Sequence, residues 1–411
     1  MVPGDHATIQ AAVDDLSCDP INVKAGTYTE EITIARDVTL KGVGGTSIIK
    51  APGSFVNSPR AILHVTSGAT ATIEKFKITG PGPADDGDGL IGVFVDDGAT
   101  ATIRNNTITT IRPPGAAIGT SGNFFGVCVG SAAMSTTGTA TIVKNTIGNY
   151  QGAGIVVDGT GSSATIGDNT VLGTGLHFDG QAVGHGIQIS RGAGADVSHN
   201  RAHDNNYQSL TLSAGILVFD AGDSLVTLTH NTTLRNDIGI WVVGTDDAVI
   251  ERNGARDSVY DGITLDNQNA TDLGLAADET TDGHSVRNNS TTFNGGAGIA
   301  FFSSNNNTIS DNTSSKNADA GLLLTCECDY TVNPFCAPGC GISSDFQLSA
   351  HDNTVSKNKE NNGGFGIVDE STGGAGPGGV DNTYTPLIGA NRNICKNNSF
   401  DNSSPDGLCQ E

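Results

Sequence analysis

The chain has 411 residues, of which 56 are Gly, 5% are aromatic and 16% are charged, leaving too few large side chains to fill a globular core of that length. Its formal charge of −23 excludes nucleic acid as a general partner, because such binding rests on Lys and Arg neutralising phosphates, and it disfavours an unassisted polyanion. No apolar run reaches the roughly 18 residues that would predict a membrane span.

Residues 7–16 place Ile9, Val13 and Leu16 at helical spacing behind Thr8 as N-cap, which predicts a short capping helix. The segments Ile21-Asn22-Val23, Gly26-Thr27-Tyr28, Ile32-Thr33-Ile34 and Val38-Thr39-Leu40-Lys41-Gly42 then alternate apolar and polar residues between Gly breaks, the pattern of strands. From there a Gly-apolar-x-apolar step recurs, starting at Gly92, Gly126, Gly154, Gly186, Gly215, Gly239, Gly262 and Gly298. A unit this short cannot bury its own apolar face and must stack on copies of itself, so the chain reads as a solenoid.

Between these steps stand Asn106, Asn145, Asn169, Asn200, Asn231, Asn253, Asn289, Asn312 and Asn353, mostly followed by Thr. Stacked coils would bring the amides into a hydrogen-bonded ladder, which makes the Asn-x-Thr glycosylation matches by-products of the repeat. The interval from Gly239 to Gly262 is 23 residues and that from Gly262 to Gly298 is 36, so residues 267–283 are expected to leave the coil as an inserted loop.

The stretches TIQAAVDDL, INVKAGTYTEEITI and VTLKGVG resemble the entry of right-handed parallel β-helix proteins of the pectate-lyase-like superfamily, and the later Gly-Ile and Asn-Thr repeats extend the resemblance over nearly the whole chain. The expectation is an all-β, single-stranded right-handed parallel β-helix with an N-terminal capping helix, forming one domain over 1–411. Its parts would be a cap at 1–20, coils at 21–325, a Cys-rich insert at 326–345, and last coils with a C-terminal cap at 346–411. The superfamily contains lyases, hydrolases, epimerases, phage tailspikes and non-catalytic surface proteins, so the resemblance is specific for fold and not for activity.

Six of the eight cysteines follow residue 320. Cys326, Cys328, Cys336 and Cys340 are read as disulfide partners, with a zinc knuckle as the alternative, and Cys395 with Cys409 as a staple of the last coil. Disulfides imply a secreted or cell-surface protein; the start at Met1-Val2-Pro3-Gly4 carries no leader, so one would have been removed. Asp85, Asp86 and Asp88, with Asp96-Asp97, suggest Ca²⁺ as a cofactor, against which stands the reading of solvated acidic loops. Copper delivery, as in some periplasmic relatives, is disfavoured by 2 Met and scattered His.

In a stacked coil, residues at equal offsets from the repeated Gly lie about 4.8 Å apart on adjacent rungs, so a site is a column. Offsets +1 and +3 are apolar and point inward, whereas +2 (Gln188, Leu217, Trp241, Thr264, Ala300) and +4 (Ser190, Phe219, Val243, Asp266, Phe302) point outward. Trp241, Phe219 and Phe302 form a platform for sugar rings or pack under a loop or partner, with Gln188, Arg191 and Arg256 as further substrate-binding candidates. Tyr260, Asp261, Asp266, His185, Asp237 and Arg235 are the catalytic candidates. Chemistry on an acidic sugar needs a cation for the carboxylate, a base and an acid, and these side chains supply them. Alternatively, Arg191 with Asp220 and Arg235 with Asp237 are ordinary surface pairs.

Val259-Tyr260-Asp261-Gly262-Ile263-Thr264-Leu265-Asp266 loosely resembles the Tyr-Gly-Phe-Asp-Pro-His step of alginate epimerases of this fold, with Thr264 at the family's Asp and Asp266 at its His. The leading expectation is a polysaccharide lyase or C5-epimerase on an acidic polysaccharide along the face of residues 185–303. The alternatives are a non-catalytic surface or adhesive β-helix and a glycoside hydrolase, for which Asp261 with Asp266 is the carboxyl pair to nominate. The oligomeric state is left open by the sequence.

Overall fold

The computed structural model describes residues 1–82, 89–114, 123–176, 184–207, 212–222, 224–267, 281–325, 353–356, 358–361, 365–369, 383–384, 393–395 and 403–404. The Cys-rich insert, the staple involving Cys409, and the Asp85, Asp86 and Asp88 loop lie outside these residues. The chain divides into two compact units, Met1–Ser213 and Ala214–Glu411.

Each unit is built from three parallel sheets, to which successive coils add one strand each. In the first unit the first sheet runs from Ile21–Asn22 to Gly194–Ser198, the second from Gly26–Thr29 to Arg201–Asn206, and the third from Ile32–Ile34 to His185–Ser190. In the second unit the third sheet begins with Ala214–Gly222, the first with Val226–Thr229 and the second with Thr232–Leu234. This is the expected right-handed parallel β-helix. The cap is a single helix, Ile9–Asp14, with the Thr8 hydroxyl accepting from the Ala11 N–H at 3.1 Å.

The repeated Gly steps are the third-sheet strands, and their inward offsets form the core. Ile216, Val218, Ile240, Val242, Ile263 and Leu265 are fully buried, and Ile240, Ile263, Ile299 and Leu322 stand in one register. Glycine is required at the head of these strands because the coils meet there backbone to backbone. A Cβ on Gly239 would run into the Gly262 carbonyl oxygen, one on Gly262 into that of Gly298, and one on Gly92 into that of Gly126.

The Asn residues form ladders. In the first unit Asn106, Asn145, Asn169 and Asn200 are linked side chain to side chain; the Oδ1 of each of the last three also accepts the backbone N–H of the preceding Asn, and that of Asn106 accepts the Phe76 N–H. In the second unit the same column runs through Asn231, Asn253, Asn289, Asn312, Asn358 and Asn393. Asn353, expected in this column, belongs instead to a second ladder below Asn307, whose Oδ1 accepts the His284 N–H. The reason is positional. Asn307 and Asn353 precede first-sheet strands, whereas Asn312 and Asn358 precede second-sheet strands, and the same Asn-initiated turn serves both corners.

Candidate active site

The second unit brings four of the singled-out side chains together on the outer face of its third sheet. The strands Ile238–Thr245 and Ile263–Asp266 pair so that Trp241 stands beside Thr264 and Val243 beside Asp266. The Trp241 indole N–H donates to Asp266 Oδ2 at 3.3 Å, so the ring is held by its edge and orients a carboxyl group. Two residues back along the strand, roughly 7 Å, is Thr264, whose hydroxyl donates to Asp261 Oδ2 at 3.2 Å. Asp261 Oδ1 accepts the Ala297 N–H at 2.7 Å from the next coil. Thr264 thus holds the Asp261 carboxyl against the strand that ends in Asp266; its outward +2 offset is the only signal of this in the sequence.

Both carboxyls are poorly hydrated. Burial pushes Asp266 up to about 7, partly countered by the Trp241 hydrogen bond and reinforced by the negative charge of Asp261. Burial likewise pushes Asp261 up to about 6, against the pull of its hydrogen bonds from Ala297 and Thr264 and with a further push from Asp319. A carboxyl that keeps its proton near neutrality can donate it to a leaving oxygen, and one that loses it slightly earlier can serve as a base.

The expected insertion begins directly after Asp266. Asn267 N–H donates to the Phe302 carbonyl at 2.9 Å, and the chain returns at Thr281, whose hydroxyl donates to the Asp266 carbonyl and accepts the Gly244 N–H, both at 2.8 Å. Both ends of the loop are therefore pinned beside Asp266. Residues 268–280 lie outside the described ones.

The remaining candidates are distributed over both units. The outward columns are not an open aromatic platform: Leu217, Val243, Thr264 and Ala300 are buried, and Trp241, Phe219 and Phe302 are half-buried. Phe302 packs on an apolar cluster of Ala297, Ala300, Ala320 and Val368, joined by Leu323 and Phe365. Tyr260 is 41% exposed at the corner where Asp237 lies fully buried, and its N–H donates to the Asp237 carbonyl at 2.9 Å. Arg256 belongs to a second-sheet strand, Gly254–Arg256, and its Nε pairs with Asp257 at 3.0 Å. Arg235 is exposed just after another second-sheet strand, Thr232–Leu234.

His185, Gln188 and Arg191 belong to the first unit. Burial holds the His185 imidazole down at about 4, which leaves it neutral. Arg191 meets a buried carboxylate on the preceding rung. It grips Asp158 with two bonds, Nε to Oδ1 at 2.7 Å and Nη2 to Oδ2 at 2.6 Å, a fork that the buried carboxylate matches. Ser190 donates to the same Oδ1 at 2.9 Å, and Gln188 to Ser190 at 3.1 Å. Asp96, one of the Ca²⁺ candidates, is buried with an oxygen 2.7 Å from His64 Nε2, and that imidazole stacks on Phe94. Cys18 and Cys128 are free thiols, and burial raises the Cys128 thiol beyond ordinary titration.

Residues 128–273 match the family model for a right handed beta helix region, and residues 215–406 match that for periplasmic copper-binding protein (NosD). Among the described residues no group of three or more His, Cys, Asp or Glu side chains is arranged to hold a metal, and the span 215–406 contains no Met. No curated protein matches the chain. Among solved structures, the catalytic domain of a GH87 alpha-1,3-glucanase in complex with tetrasaccharides is similar with 13% identity over 97% of this chain and 63% of that one, at a TM-score of 0.52. The Dettilon tailspike protein is similar with 15% identity over 90% of this chain and 63% of that one, also at 0.52. The chain spans less than two thirds of the length of these structures, and the likeness is one of fold.

Proposed function

We propose that this chain, which belongs to the right-handed parallel β-helix proteins, acts on a polysaccharide and cleaves its glycosidic bonds by hydrolysis, with Asp266 as general acid and Asp261 as general base. The single observation carrying this is the pair of neighbouring carboxyls, Asp266 held by Trp241 and Asp261 by Thr264 and Ala297, both pushed up by burial. Two carboxyls are what glycosidic cleavage uses, one to protonate the leaving oxygen and the other to activate water. The acidic surroundings favour a neutral sugar chain over a polyuronate, because Asp319 adds to the negative field and the Arg256 charge is met by Asp257 on the adjoining sheet. The similar glucanase domain was captured with tetrasaccharides, which agrees with this choice. An extracellular or periplasmic location belongs to the same reading, since one matched family is periplasmic.

A lyase or C5-epimerase reading has one observation in its favour, the exposed Tyr260 next to Asp261. Incubation with neutral glucans and with uronate polymers separates the two. Hydrolysis yields new reducing ends without ultraviolet absorbance, whereas elimination yields unsaturated uronates that absorb. Asp266→Asn and Asp261→Asn are each expected to lower kcat by about 10²-fold or more, the usual loss of a general acid or base. Unchanged turnover in both variants would refute the assignment.

A further inference from the structure

The first sheet of the unit Met1–Ser213 carries nearly the same tetrapeptide on four consecutive rungs: Thr70-Ala71-Thr72-Ile73, Thr100-Ala101-Thr102-Ile103, Thr139-Ala140-Thr141-Ile142 and Ser163-Ala164-Thr165-Ile166. The strands pair without a bulge, so that Thr70, Thr100, Thr139 and Ser163 form one outward column and Thr72, Thr102, Thr141 and Thr165 a second, which Thr39 extends. Ala71, Ala101, Ala140 and Ala164 and the four Ile are buried between them. The core accounts for the Ala and the Ile. It places no demand on the outward residues, and any polar or β-branched side chain would serve there.

Among the described residues, none of these nine hydroxyls is engaged by a protein group. They repeat about 4.8 Å from rung to rung and about 6.7 Å from column to column, and the β-branched side chain restricts every Thr, though not Ser163, to few orientations. The nine residues are uncharged, the second column ending at Asp196 on the rung after Thr165, and an uncharged patch on a chain of net charge −23 suits a neutral partner. A two-dimensional repeat of identical groups is matched by a partner that itself repeats in two dimensions. The rectangle is close to the spacing of water oxygens on the prism face of hexagonal ice, where hydroxyls can occupy lattice positions and methyls sit between them. We propose that this face binds ice.

The second unit supplies a contrast. Counted from the ladder Asn, its equivalent sheet places Thr227, Val249, Ser285 and Thr308 in the column that Thr72, Thr102, Thr141 and Thr165 occupy in the first unit. Val249 and Ser285 break the Thr series there, so the array is not repeated in that unit.

The test is partition of the full chain into slowly growing polycrystalline ice, against serum albumin as the non-binding reference. Wild-type chain is expected to enrich several-fold over albumin. Thr102→Lys/Thr141→Lys, at the centre of the array, should fall to the albumin level with unchanged circular dichroism and melting temperature, while Thr227→Lys/Thr308→Lys should enrich like wild type. Wild-type partition at the albumin level would overturn the proposal, as would full enrichment of Thr102→Lys/Thr141→Lys. Retention on crystalline cellulose that requires Thr102 and Thr141, without enrichment in ice, would overturn it in favour of a glycan lattice.

Discussion

Asp266 ties the site to the stability of the chain. In an unfolded chain its carboxyl titrates near the ordinary value of 3.8, and in the folded protein near about 7; Asp261 moves the same way, to about 6. Both folded values lie above the unfolded ones, so the folded state favours the protonated forms. Their contribution is fully present below about pH 4 and is lost as the pH rises through about 6 and about 7. Asp266→Asn keeps an acceptor for the Trp241 N–H and cannot ionise. It is therefore expected to be more stable than wild type at about pH 8, by on the order of 1–3 kcal/mol, with the difference vanishing near pH 4. Denaturant unfolding at the two pH values measures this; equal stability at both would show that Asp266 is ionised and solvated in the folded chain. The same two groups predict a bell-shaped dependence of kcat/KM between about 6 and about 7, limited on the acid side by Asp261 and on the alkaline side by Asp266.

At the level of elements, the Asn ladder does for the turns what the paired strands do for the sheets. Asn289 Nδ2 donates to the Ile250 carbonyl at 2.8 Å and to Asn312 Oδ1 at 3.1 Å, and its Oδ1 accepts from the N–H and Nδ2 of Asn253. Asn289→Ala would strand the buried Asn253 donors, and each unsatisfied buried group costs about 1–3 kcal/mol, so a loss of about 2–4 kcal/mol is expected in chemical denaturation. A loss below about 0.5 kcal/mol, the range of ordinary surface changes, would mean that water replaces the ladder. The ladder and the Gly column were legible in the sequence because each coil repeats the same physical demand, a buried amide at a turn and a close backbone approach at a strand head. Assigning Asn353 was not, since two corners of the coil use the same Asn-Thr signal. The Arg191 partner was also hidden: Asp158 lies 33 residues earlier and meets it only because the coils stack.

Across the whole molecule, the repeat determined more than it revealed. The inward offsets of the Gly steps could be read as core because burial follows strand alternation, and Asp261 and Asp266 could be nominated because they sit outside that core. Exposure could not be read. Whether Trp241, Phe219 or Phe302 meets solvent depends on what covers the sheet, and a column pattern says nothing of that. Nor does the pattern reveal that the chain forms two compact units, with His185 and Asp266 in different ones. The function proposed here therefore rests on one unit and one pair of carboxyls. The most direct test is mass spectrometry of oligosaccharides released from a neutral glucan in heavy-oxygen water. Hydrolysis by Asp266 and Asp261 predicts one solvent oxygen at every new reducing end, with no such product from Asp266→Asn. Products lacking solvent oxygen, or undiminished release by Asp266→Asn, would contradict it.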